Sequence, residues 1–295
     1  MSMYAFQGAV ELGFIYALMA LGLFVSYRIL NLADLTVDGS FTLGASASVV
    51  CALAGHPMLG LAAGAVVGAI AGVVAAFLQT KLKIQPILAG ILVMTGLYSV
   101  NLRIMGSSNV SLLGEETIFT WIQELLGEDY GSLVLVLILV LVVGILLGLF
   151  FNTQLGLSIR ATGDNEDMVL ASSINANFTK TVGLALANAL VGLSGATLAQ
   201  YQGFSEVSMG IGMVVIGLAS LIIGEVIFGN RTVVRNIVAV VLGAVIYRII
   251  IALVLETNLA PGDLKLISAL IVAVAISYPT LKGFLTQRKL RRKGE

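Results

Sequence analysis

Residues 31–41 read Asn-Leu-Ala-Asp-Leu-Thr-Val-Asp-Gly-Ser-Phe and set two carboxylates, Asp34 and Asp38, four positions apart between long apolar runs. On one helix that spacing puts both on the same face, and two like charges beside lipid are costly. Such a pair is tolerated where the backbone breaks and lines water or a cavity. Gly39 is a point where a helix can bend or start, and Thr36 or Asp38 can cap that start. A helix beginning here aims its positive dipole end and unpaired N–H groups at the break, which suits a solute carboxylate. The candidate pathway residues are Asn31, Asp34, Thr36, Asp38, Ser40 and Phe41. A plain inner turn with a capping aspartate remains open on these residues alone.

A second polar stretch, Tyr201-Gln-Gly-Phe-Ser205-Glu206-Val-Ser208-Met-Gly210-Ile-Gly212, also runs directly into an apolar helix. Ser205, Glu206 and Ser208 are its candidate pathway residues. It falls in the other half of the chain and, by the span count below, on the opposite membrane side. Paired interrupted segments of inverted orientation mark transporters built from repeats, although the halves show no convincing identity. An ordinary outer loop is the alternative.

Three charges lie within apolar runs. Glu11 stands near the outer start of the first run and is expected to be hydrated. Glu225 and Arg248 are each within reach of an interface, so snorkelling competes with a buried partner or a solute carboxylate. A further polar surface, Gly156 to Asp167, sits in a connection of almost thirty residues among much shorter ones, and long connections in compact proteins are usually functional.

Enzyme signatures are missing. The sequence contains no G-x-x-x-x-G-K-[ST] phosphate loop, no G-x-S-x-G elbow and no H-E-x-x-H helix. His56 is the single histidine and Cys51 the single cysteine, so a multi-histidine metal site and an internal disulfide are excluded. Cys51 reads as a packing residue. No catalytic residues and no metal site are assigned.

The positioning elements follow from composition. Hydrophobic residues make up 58% of 295 residues and charged residues 11%, with a mean hydropathy of +1.03. Soluble domains carry about 25% charged residues, so lipid is the environment this chain fits. Lys+Arg and Asp+Glu stand at 16 each, which gives no pointer to nucleic acid. The 33 glycines suit close helix packing in a membrane. The N-terminus lacks a basic n-region and cleavage site, so the first span is expected to stay in the mature protein.

A bilayer core of about 30 Å takes roughly 20 residues of helix. That ruler predicts an all-α polytopic membrane protein with nine spans, at 8–28, 38–55, 58–79, 84–105, 132–151, 181–199, 209–227, 234–254 and 264–280, and broken helices near 31–41 and 201–212. The continuous apolar runs argue against a membrane barrel. Basic residues stay on the cytoplasmic side. Lys282, Arg288, Lys289, Arg291, Arg292 and Lys293 therefore put the C-terminus inside. Alternation brings Arg231, Arg235, Arg160, Lys180, Lys81, Lys83 and Arg28 to the same side. It sends Glu115, Glu116, Glu124 and Glu206 outside, with the N-terminus. The chain reads as one permease domain, 1–295, with an outer loop at 106–131 and an inner loop at 152–180. A mildly amphipathic stretch at 163–174 predicts one or two short surface helices in the inner loop.

The runs VSYRILNLADLTVDGSFTLGA, LGLSIRATGDNEDMVLASSINANFTK and GMVVIGLASLIIGEVIFGN resemble the permease subunits of bacterial ABC importers of the branched-chain amino acid and ribose type. The likeness spans roughly 10–280 and is nearest to permeases described as tryptophan/tyrosine uptake systems; NLADLTVDGSF is its most specific part. The resemblance implies a bacterial inner-membrane, multi-pass importer subunit in which two permeases pair, as a homodimer in single-permease systems. Two separate ATPase subunits bind ATP and magnesium, and an extracytoplasmic binding protein, often a lipoprotein, delivers the solute. The resemblance also makes the inner loop the coupling element, with Gly156, Arg160, Ala161, Asp164, Asn165 and Glu166 facing the ATPase, and puts residues 31–41 at the substrate path. The Glu-Ala-Ala start found in other ABC permeases is absent here. The favoured substrate is an amino acid, aromatic first. An ion-coupled secondary transporter using Asp34, Asp38 and Glu225 is the rival reading.

Overall fold

A computed structural model of the chain describes residues 3–127, 130–229, 231–256, 266–274 and 277. The protein is a helical bundle. Seven helices are long and apolar enough to cross a membrane. They are α1 (Met3–Leu23, extended by the π-helical turn Phe24–Ile29), α2 (Thr36–Leu53), α3 (Pro57–Thr80), α4 (Pro86–Met105), α6 (Gly131–Phe150), α9 (Ala176–Gln202) and α11 (Val233–Leu255). Between them lie α5 (Ile118–Leu126), α7 (Gln154–Asp164), α8 (Glu166–Ala171) and α10 (Met213–Phe228), with strands β1 (Asn109–Ser111) and β2 (Phe204–Glu206).

Seven of the expected spans thus appear as full-length helices. The expected span at 209–227 is shorter: α10 has 16 residues, about 24 Å at 1.5 Å per residue, below the thickness of a bilayer core. Its N-terminal part is non-helical backbone instead. The expected span at 264–280 and the basic tail fall largely outside the described residues; 266–274 are helical.

The sequence dictates the helix starts. Pro57 and Pro86 occupy first-turn positions of α3 and α4, where a missing N–H costs nothing. Thr153, Asn165, Asn175 and Thr232 each accept a backbone N–H at the starts of α7, α8, α9 and α11. The inner loop does hold two short helices, but the first begins at Gln154, earlier than the amphipathic stretch suggested, because Thr153 caps it.

Small residues set the packing. A Cβ on Gly44 would come within 2.0 Å of the Gly192 carbonyl, and one on Gly195 within 1.9 Å of the Phe41 carbonyl. On α3, Gly68 and Gly72 lie against the Asn188 and Leu184 carbonyls at 2.3 Å by the same measure. Helices α2, α3 and α9 therefore touch backbone to backbone, as membrane helices with small-residue faces do. The buried cluster around Leu18, Phe24, Phe151, Leu184 and Val240 joins α1, α6, α9 and α11.

The connections gather at two ends. At one, β1 pairs antiparallel with β2, Val110 opposite Ser205, so the loops after α4 and α9 share an end with Glu115, Glu116 and Glu206. At the other, α7 closes on the π-helical turn: a Cβ on Gly163 would be 1.8 Å from the Ile29 carbonyl. Arg28 pairs there with Glu225 at 2.9 Å. The first end is acidic and the second basic.

Candidate functional site

Asp34 is buried, 3% exposed, in the non-helical segment that leads into α2. Its carboxylate accepts from the Thr36 amide at 2.9 Å and from the Asn188 side-chain amide at 2.7 Å. Asn188 is near the middle of α9, so the chain climbs half the height of the bundle before α2 begins. Asp38 is one turn further on and turns the other way. Its two carboxylate oxygens accept from the Gly212 and Val214 amides, each at 2.9 Å. The adjacent Gly210 amide donates to Thr42 Oγ1 at 3.1 Å.

The two interrupted segments therefore meet inside the bundle. One arrives from the basic end and starts α2; the other descends from β2 at the acidic end and starts α10. Asp34 and Asp38 do not share a helical face, because α2 begins at Thr36 and Asp34 precedes it. Neither Thr36 nor Asp38 caps α2. Asp34 bonds the Thr36 amide, and Asp38 caps α10, whose own N-cap residue Gly212 has no side chain to do so. Both helix starts are thus held by the chain's own aspartates, and a solute carboxylate would have to displace one of them.

A cavity of about 240 Å³ opens beside Asp38. Asp38, Thr42, Thr95, Tyr98 and Asn101 supply its polar wall, and Met94, Val207 and Ile211 the apolar one. Asn101 is 1% exposed. Its Nδ2 donates to the Gly39 carbonyl at 3.4 Å, while its Oδ1 has no hydrogen-bond partner among the described residues. Thr95, Tyr98 and Ser99 leave a polar, uncovered stripe on α4.

The other expected pathway residues are scattered. Asn31 is exposed, with a left-handed φ of 55° where the π-helical turn ends. Thr36, Ser40 and Phe41 are fully buried, and Phe41 stacks on Tyr16 with ring centroids 6.4 Å apart. Ser205 is buried against the Met209 sulfur. Glu206 and Ser208 are exposed at the acidic end and bond to each other. Sequence reasoning missed Thr42, Tyr98, Asn101 and Asn188. The two asparagines carried a readable signal, since buried amides in apolar spans need a partner or a purpose.

The charges within the spans are also placed. Glu11 is 5% exposed and accepts from Gln7 Nε2 at 3.0 Å and from the Tyr201 hydroxyl at 2.8 Å. Arg248 lies over the Tyr16 ring, 5.1 Å from its centroid.

In the inner loop, Asp164, Asn165 and Glu166 are exposed and Arg160 and Ala161 half-buried, whereas Gly156 is buried against the Phe150 carbonyl. Glu166 pairs with Lys180 at 2.6 Å, and Asn165 caps α8 through the Met168 amide.

The profile of a family described as the permease component of branched-chain amino acid transport systems matches residues 6–277. The tyrosine transport system permease protein of Clostridioides difficile (strain R20291) is 39% identical over 259 residues, covering 88% of this chain and 85% of that protein. An uncharacterized protein of Rickettsia prowazekii (strain Madrid E) is 34% identical over 276 residues, covering 91% of this chain and 95% of the relative. No solved structure matches the chain.

Proposed function

Since the chain belongs to the family of permease components of branched-chain amino acid transport systems, we propose that it forms the path for an amino acid in an ATP-driven importer, and that this path runs past Asp38. The basic end faces the cytoplasm and the acidic end the outside. Nine spans, an external N-terminus and an internal C-terminus complete the topology. Similarity to the tyrosine transport permease favours an aromatic amino acid.

One observation carries the reading: the Asp38 carboxylate joins two interrupted segments in the middle of the bundle. Irregular backbone at membrane depth is tolerated where it lines a cavity or is buried in protein, and interrupted segments of opposite direction are how transporters build central sites. Here the cavity beside Asp38 opens toward the polar stripe of α4. Two copies set stripe to stripe enclose a polar path that one copy leaves half-built, and the assembly is a homodimer.

The ATPase that binds ATP and magnesium docks on α7 and α8, with Arg160, Asp164, Asn165 and Glu166 as the polar contacts and Gly156 and Ala161 packing behind them. Closure of the ATPases pushes α7, which moves the π-helical turn through the tight Gly163–Ile29 contact. Arg28 passes that displacement to α10 through Glu225. The start of α10 then shifts against Asp38, and the path opens toward the delivering binding protein. Each partner drives the cycle by binding one of the two states better than the other.

Reconstitution tests this. With its ATPase and binding protein in liposomes, the protein should accumulate labelled L-tyrosine only when ATP is supplied. Accumulation without ATPase, abolished by an ionophore, would establish an ion-coupled carrier instead and end the proposal.

A further inference from the structure

A second cavity, of about 620 Å³, lies at the acidic end between the first turns of α1, α5 and the end of α9. Its volume is within the range that holds a small molecule. Phe119, Tyr4 and Leu112 supply apolar wall, and Glu11 and Glu115 supply carboxylates.

Glu11 is the unusual member. It is 5% exposed and inside a spanning helix, where an ionisable residue is costly and is a functional candidate by default. Its described partners, the Gln7 amide and the Tyr201 hydroxyl, are neutral. No ion pair reaches it among the described residues. A buried carboxylate held by neutral donors retains capacity to accept from a cation, because each oxygen offers two lone-pair directions. The path beside Asp38 does not use it.

We propose that this vestibule receives the amino acid ahead of the central path and that Glu11 accepts its α-ammonium group, with Phe119 lining the side-chain pocket. The inference rests on the reading of the chain as an amino-acid permease. A protonated primary amine is the chemistry the site selects. An ammonium–carboxylate bond in a half-enclosed cavity is among the stronger hydrogen bonds.

The test uses the complete complex in liposomes with labelled L-tyrosine. If the wild type shows no ATP-dependent uptake, the permease reading fails first, and the vestibule proposal falls with it. Given wild-type uptake, Glu11→Gln keeps the size and the acceptor for Tyr201 but removes the charge. Uptake should fall about tenfold, the loss of one hydrogen bond to a charged group, while thermal unfolding and affinity for the binding protein stay at wild-type values. Glu11→Asp, which restores the charge, should recover part of the uptake. Wild-type uptake by Glu11→Gln would overturn the proposal and leave Glu11 as a fastener between α1 and α9. Loss of binding-protein affinity would overturn it in favour of a docking contact. Should Glu11→Gln unfold early, Glu11→Asp decides: uptake retained supports the ammonium site, and a folded, inactive protein refutes it.

Discussion

Asp38 and Gly212 are 174 positions apart, yet the carboxylate of the first accepts from the amide of the second at 2.9 Å. The start of one helix is thereby fixed by a side chain on the first turn of another. The carboxylate satisfies two of the four N–H groups that a helix start leaves unpaired, and its charge complements the positive end of α10.

Replacing Asp38 separates these two contributions. Asp38→Asn retains one acceptor and should keep the fold while lowering uptake. Asp38→Ala removes the cap and should lower stability by about 1–2 kcal/mol. Thermal unfolding in detergent and ATP-driven tyrosine uptake, measured on both variants, give the comparison. Equal uptake by both variants and the wild type would remove Asp38 from the path.

Asn188→Ala leaves Asp34 Oδ2 without its partner at 3% exposure. An unpaired buried acceptor costs about 1–3 kcal/mol, more for a charged group. The variant should unfold earlier than the wild type, whereas Asn188→Gln should fall between the two if its longer amide reaches the same oxygen. A wild-type unfolding temperature for Asn188→Ala would show that water replaces the amide.

Glycines on α9 and α4 should differ sharply. A methyl group on Gly195 would meet the Phe41 carbonyl at 1.9 Å, while one on Gly96 would meet nothing within 4 Å. Gly195→Ala should therefore force α2 and α9 apart, at a cost of about 1–3 kcal/mol or more, with reduced yield of folded protein. Gly96→Ala should unfold no earlier than the wild type and be up to about 1 kcal/mol more stable, because Ala is the better helix former. Cross-linking of two copies through cysteines at Thr95 or Ser99 would then report whether that open face is covered by a second chain.

Gly163→Ala addresses coupling. The added methyl clashes with the Ile29 carbonyl and should lift α7 off the π-helical turn. ATP hydrolysis by the assembled complex should persist while uptake falls, so that the ratio of solute moved to ATP spent drops. If both fall in proportion, α7 is needed for assembly rather than for transmission.

Much of this was readable from residue order. Apolar runs located the long helices, because lipid imposes a length and a composition that few substitutions evade. The breaks near 31–41 and 201–212 were visible as polar residues in apolar surroundings. Their meeting was not. Asp38 gives no sign in its neighbours that it caps a helix 174 positions away, since such contacts depend on how α2, α9 and α10 cross. The partner of Glu11 was hidden for a related reason. Nothing near it in the sequence points to Tyr201, which α9 brings over it. Glu225 looked interfacial and Arg28 read only as a basic residue of the cytoplasmic side, and only the approach of α1 to α10 turned them into a pair.

The three-residue ladder between β1 and β2 has a mechanical consequence. One strand follows α4, which carries Tyr98 and Asn101, and the other leads into Val207 and Ile211, so opposite walls of the same small chamber hang from a single clasp. Sliding those walls past each other would tear the clasp; swinging them together would leave it whole. A strand pair this short has little stability of its own and survives by being carried. On the proposed path, opening at this end is therefore expected to turn on a hinge rather than to shear.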